Sequence, residues 1–60
     1  MSIEHEISAL LDVPVSVGQA IVDKINAEWL LDWSECTKEE LETTARNTYQ
    51  KLIEGETNNG

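Results

Sequence analysis

A single cysteine, Cys36, stands in this chain of 60 residues, so no internal disulfide can support the fold. A chain this short buries only about 60% of the surface that its unfolded form exposes. Its stability must therefore come from a few large apolar side chains, a structural metal or association with another chain. We expect neither a metal nor a cofactor, because Cys36 and His5 are the only soft ligands and the carboxylates lack calcium-loop spacing.

The first apolar residues of the chain repeat with helical spacing. A single face would carry Ile3, Ile7, Leu10 and Leu11. Ser2 is a candidate N-cap, and Pro14 disfavours helical angles at the residue before it. The pattern predicts a helix over about residues 3–12.

A second helix is predicted over about residues 16–32. Ser16 and Gln19 have the spacing of a capping box, in which each side chain bonds the other residue's backbone amide. Gly18 lies beside the apolar stripe, where it could admit a second helix closely or simply cost up to ~1 kcal/mol relative to Ala. The stripe itself contains Val17, Ile21, Val22, Ile25 and Trp29.

The third helix, over about residues 37–54, has the strongest signals. Thr37 and Glu40 form a second capping box, and Cys36 can meet Leu41 as a hydrophobic staple. Gly55 is placed to end the helix. Glu42 and Arg46 are spaced for an ion pair on the outer side, and the inner face contains Leu41, Ala45, Thr48, Tyr49, Leu52 and Ile53.

These patterns together predict an all-α fold: one compact three-helix domain over residues 1–55, followed by a short, mobile tail over residues 56–60. The amino-terminal residues lack the basic and apolar regions of a leader peptide, and no apolar run approaches the length of a membrane span. We therefore expect a cytoplasmic protein.

The segment AEWLLDW, residues 27–33, holds both tryptophans and more apolar side chains than one stripe can bury. Trp29 continues the stripe and is predicted to lie in the core, whereas Leu30 and Leu31 point away from it. Either these leucines fill the joint before the third helix, or they form an exposed patch that docks on another chain. The docking hypothesis assigns a protein-binding role to Glu28, Trp29, Leu30, Leu31, Asp32, Trp33, Glu35 and Glu39.

Charge restricts the kind of partner. Twelve Asp and Glu against four Lys and Arg give a net charge of −8, which disfavours nonspecific binding to nucleic acid or anionic membrane and favours a basic protein surface. Solubility alone also accounts for such a charge. The helix dipole explains the acids that begin the third helix, but the acids elsewhere suggest steering toward a basic patch, or mimicry of DNA phosphates.

Enzymatic activity is not expected from this sequence. Three short helices offer little concavity, and the acids around Cys36 oppose formation of a thiolate. His5 lies between Glu4 and Glu6 and is best interpreted as a solvated side chain.

The leading interpretation is a small, acidic, noncatalytic protein-binding module that regulates or inhibits a larger partner with a basic surface. Size and acidity suggest a phage or another mobile element as its source. One alternative is a self-associating homodimeric structural protein. The other is a helix-turn-helix-like DNA-binding regulator built on the first two helices, although the second helix has no Arg for phosphates.

Overall fold

Three helices make up the fold, and the all-α three-helix prediction is confirmed. The computed structural model describes the backbone of residues 2–58 and the side chains of residues 2–55. Helix α1 spans Ile3–Leu11, α2 spans Val15–Glu28 and α3 spans Lys38–Asn58. Every pair of helices is in contact. The predicted flexible tail lies outside the described side chains.

The core takes apolar side chains from all three helices at helical spacing. Ile7 comes from α1, Ile21 and Ile25 come from α2, and Leu41 and Ala45 come from α3. These five residues are the apolar side chains that the structure shows buried within residues 2–55. The predicted stripes therefore supply the core, but two of their members are exposed: Trp29 at 90% and Ile53 at 43%.

The α3 face also buries one polar side chain. Thr48 is 1% exposed, and its hydroxyl donates to the Thr44 carbonyl at 2.7 Å. The hydroxyl is thus satisfied within its own helix, which removes most of the cost of burying it.

Close contact between α1 and α2 depends on Gly18, as the sequence suggested. Gly18 is buried, and a Cβ added there would overlap the Glu4 carbonyl group of α1. The obstacle is backbone, which cannot rotate away. Any side chain at this position would push α1 and α2 apart.

Helix α2 does not begin as predicted. It starts at Val15 with Pro14 as its N-cap residue, and the Pro14 carbonyl accepts from the amides of Val17 and Gly18 at 3.0 and 3.1 Å. The Ser16 capping box is wrong, because Ser16 already lies inside the first turn. Gln19 instead donates to Asp23 Oδ1 at 3.0 Å.

The other predicted helix ends give mixed outcomes. Ser2 occupies the N-cap position of α1 without a side-chain cap bond. The box at α3 is confirmed: Thr37 N donates to Glu40 Oε1 at 3.0 Å, and Glu40 N donates to Thr37 Oγ1 at 3.1 Å. Gly55 does not end α3, because it has no positive φ and the helix continues to Asn58.

The glycine contact predicts opposite effects for two alanine substitutions. Gly18→Ala should lower the free energy of unfolding by about 1–3 kcal/mol through overpacking against Glu4. Gly55→Ala should raise it by about 0.5–1 kcal/mol, because Gly55 is helical with open space around it. Urea denaturation followed by circular dichroism measures both, and a stabilising Gly18→Ala would contradict the contact.

The capping assignments predict that alanine substitution destabilises the protein at Thr37 but not at Ser16. Thr37→Ala should cost about 1 kcal/mol of stability, because it removes the acceptor for the Glu40 amide. Ser16→Ala should change stability by less than about 0.5 kcal/mol, because Ser16 caps nothing. Equal losses in the same denaturation assay would mean that Ser16 is a cap after all.

Candidate protein-binding surface

Helix α2 stops four residues before its predicted end because the chain adopts a left-handed conformation at Trp29. Trp29 has φ 54° and ψ 43°. Its amide donates to the Asn26 carbonyl at 3.4 Å, and the Leu30 amide donates to the Ile25 carbonyl at 3.0 Å. These bonds form a Schellman motif with tryptophan at the position that glycine usually occupies.

This helix end exchanges the expected positions of the apolar side chains in residues 27–33, because Trp29 is exposed and the leucines face the core. Trp29 is 90% exposed, so its predicted place in the core is wrong. The turn directs Leu30, Leu31 and Trp33 back against the core, where all three are partly buried. A straight helix through residue 32 would have pointed both leucines away from the core, as the sequence analysis assumed.

Side-chain hydrogen bonds fix the loop that follows. The Trp33 indole Nε1 donates to Asn26 Oδ1 at 2.6 Å, which ties the loop to the last turn of α2. Asp32 Oδ1 accepts from the Ser34 amide at 3.1 Å and from the Ser34 hydroxyl at 2.7 Å. Cys36 is half-buried, and its Sγ lies 3.8 Å from the Trp33 carbonyl oxygen.

A groove of about 750 Å³ opens beside this loop, and we call it the tryptophan groove. Its volume falls within the range of small-molecule pockets. The residues that line it are Ile25, Asn26, Trp29, Leu30, Leu31, Asp32, Trp33 and Ser34.

A second, smaller depression of about 300 Å³ adjoins the same two leucines, and we call it the acidic depression. Its lining consists of Leu30, Leu31, Glu39, Glu40, Thr43 and Thr44. Helical spacing places the four α3 residues on one face, although only Glu39 among them was predicted to bind protein.

The structure brings together six of the eight residues predicted to bind protein. Five line the tryptophan groove and Glu39 lines the acidic depression with the leucines. Glu28 and Glu35 line neither, although both are exposed. Sequence reasoning missed Ile25, Asn26 and Ser34 as groove residues, because only the loop conformation brings Asn26 beside Trp33.

Charge is distributed unevenly around the two depressions. Glu28 pairs with Lys24 at 2.5 Å, and the hydrogen bond from Lys24 lowers the pKa of the Glu28 carboxyl, with a smaller contribution from Lys51. Asp32 accepts only from Ser34 in the described structure, and Glu40 only from the Thr37 amide. Asp32 and Glu40 therefore make no ion pair with a described residue, whereas Glu42 of α3 pairs with Arg46.

Comparison with protein-family models, with curated proteins and with solved structures gives no match to this chain. Of the helices in the described part of the chain, none combines the length and apolarity that crossing a lipid bilayer requires.

The left-handed conformation of Trp29 predicts that glycine is the better residue there for stability. Trp29→Gly should raise the free energy of unfolding by about 1 kcal/mol, because it removes the Cβ penalty and loses almost no burial. Trp29→Ala retains the penalty and should show no gain. Urea denaturation distinguishes them, and a less stable Trp29→Gly would mean that the indole supports the fold.

Proposed function

We propose that this protein is a noncatalytic binding module that attaches to a larger protein through Trp29 and the tryptophan groove, and so regulates or inhibits that partner. The observation that carries the proposal is the 90% exposure of Trp29 in a left-handed conformation. Two unfavourable features thus coincide at one residue. The left-handed turn serves folding by ending α2, but folding does not require a tryptophan there, since glycine makes this turn at a lower energetic cost.

The energetic cost of Trp29 is what points to binding. A left-handed conformation costs a residue with a Cβ about 1–2 kcal/mol, and exposing an indole forgoes the burial that a small core needs. Backbone strain of this kind concentrates at functional positions. Tryptophan is also the residue type most enriched at binding hot spots, where one side chain can supply 2 kcal/mol or more.

The surroundings of Trp29 favour binding by holding the surface in one conformation. The Schellman bonds fix the backbone at Trp29, and the bond to Asn26 fixes the Trp33 ring. The Thr37 capping box fixes the other end of the loop. A surface ordered before binding loses less conformational entropy when a partner docks.

The net charge of −8 supports a basic partner surface. Complementary charge accelerates encounter and suppresses wrong partners more than it adds affinity. An inhibitor that imitates DNA phosphates is the most specific form of this proposal. Its electrostatic part weakens as salt is added.

Self-association is the second candidate. The exposed Trp29 favours it because a second copy could cover the ring. A symmetric dimer would bury both grooves against each other. It would also bring together two chains of charge −8, which repel at low salt. Sedimentation at several concentrations separates a dimer from a monomer.

Affinity capture with matched variants tests the proposal. Immobilised wild-type protein should retain at least one protein from an extract of the source cells, and Trp29→Gly should lose it, because the anchor is gone while the fold remains. Val15→Ser is the control. Val15 is also exposed and apolar, at the opposite end of α2, about 20 Å away.

Mass spectrometry identifies what each resin retains. Proteins held by wild type and Val15→Ser but lost from Trp29→Gly support the proposal. Equal retention by all three resins, or no retention at all, contradicts it. A wild-type dimer that Trp29→Gly converts to monomer would favour self-association.

A further inference from the structure

We propose that the element recognised by this surface is a segment of the partner that carries a large apolar side chain next to a lysine or arginine. The apolar side chain occupies the tryptophan groove, and the cation faces the carboxylates of Asp32 and the acidic depression. This inference rests on the proposed function and specifies its ligand.

Shared walls connect the two depressions. Leu30 and Leu31 line both the tryptophan groove and the acidic depression, so a ligand that fills the first adjoins the second. The first is bounded largely by apolar side chains, including Ile25, Trp29 and Trp33. The second has two glutamates in its wall, Glu39 and Glu40.

The charge pattern determines where the ligand's cation lies. At the end of α2, Lys24 already neutralises Glu28, so a cation gains little there. Asp32 and Glu39 make no ion pair with any residue of the described part of the chain. Lys38 directly precedes Glu39 in α3, and consecutive residues of a helix do not face each other.

The same pattern disfavours a second copy as the occupant. Among the described residues, neither depression has a lysine or arginine in its lining. A second copy placed symmetrically would bring its own Asp32 and Glu39 toward the same carboxylates. A basic segment would bury apolar surface and also bring a complementary charge to the carboxylates. A second copy would bury apolar surface but would bring like charges together.

Selection from a displayed library of short random peptides tests this directly, with the full-length chain as bait. We expect enriched peptides to pair a large apolar residue with a nearby lysine or arginine. The strongest of them, synthesised with a fluorescent label, is then titrated with each variant at low and high salt. Thermal melting of each variant confirms that it is folded.

The variants separate the apolar contribution from the charged one. Trp29→Gly should weaken peptide binding by about 30-fold or more, as for a hot-spot tryptophan. Asp32→Asn and Glu39→Gln should each weaken it by about two- to fivefold, the range for exposed ion pairs, and Asp32→Asn keeps Oδ1 for Ser34. Glu54→Gln is the control and should have no effect, because Glu54 is exposed and lies about 22 Å along α3 from Glu39.

Each alternative outcome has a definite meaning. Enriched peptides without basic residues, or affinity unchanged by both Asp32→Asn and Glu39→Gln, would overturn the inference and leave the proposed function standing. Selected peptides that bind Trp29→Gly as well as wild type would overturn both. Failure to enrich any peptide would overturn the inference, and a concentration-dependent dimer would assign the groove to a second copy.

Discussion

The end of α2 is the constraint on which the rest of the structure depends. By turning left-handed at Trp29, the chain ends the helix and reverses toward the core within two residues. This reversal packs Leu30 and Leu31 against the core and delivers the loop to the start of α3. Had α2 continued, both leucines would have faced water, and a chain this short has few apolar side chains to lose.

The stability of the domain and the shape of its surface therefore share one cause. The leucines that close the core near the loop are also the common wall of the tryptophan groove and the acidic depression. Of the large apolar side chains in residues 27–33, the Trp29 ring is the one left exposed and outside the core. Under the proposed function, that division would let one short segment serve folding through the leucines and binding through the Trp29 indole.

Much of the fold was readable from the sequence because helical spacing and capping are local. Short-range patterns predicted the main stripes of the three helices, the Thr37 capping box and the ion pair of Glu42 with Arg46. They left two interpretations of Gly18, and the structure shows the close helix contact. The error at Ser16 arose because either Pro14 or Ser16 could have been the N-cap residue of α2. The structure uses Pro14, whose carbonyl accepts the first backbone hydrogen bonds of the helix. The error at Trp29 has a deeper cause. Tryptophan gives no sign of a left-handed conformation, so its place in the α2 stripe predicted burial, and the hydrogen bond of Asn26 with Trp33 was not predicted.

The position of Gly18 separates the packing of α1 against α2 from the exposed residues around Trp29. The contact that fixes α1 against α2 lies near the start of α2, and Trp29 lies about 16 Å away beyond its other end. Sites this far apart, without shared partners, alter stability almost additively. The exposed residues of the proposed binding surface, Trp29, Asp32 and Glu39, could thus change one substitution at a time while the packing of the first two helices stays intact.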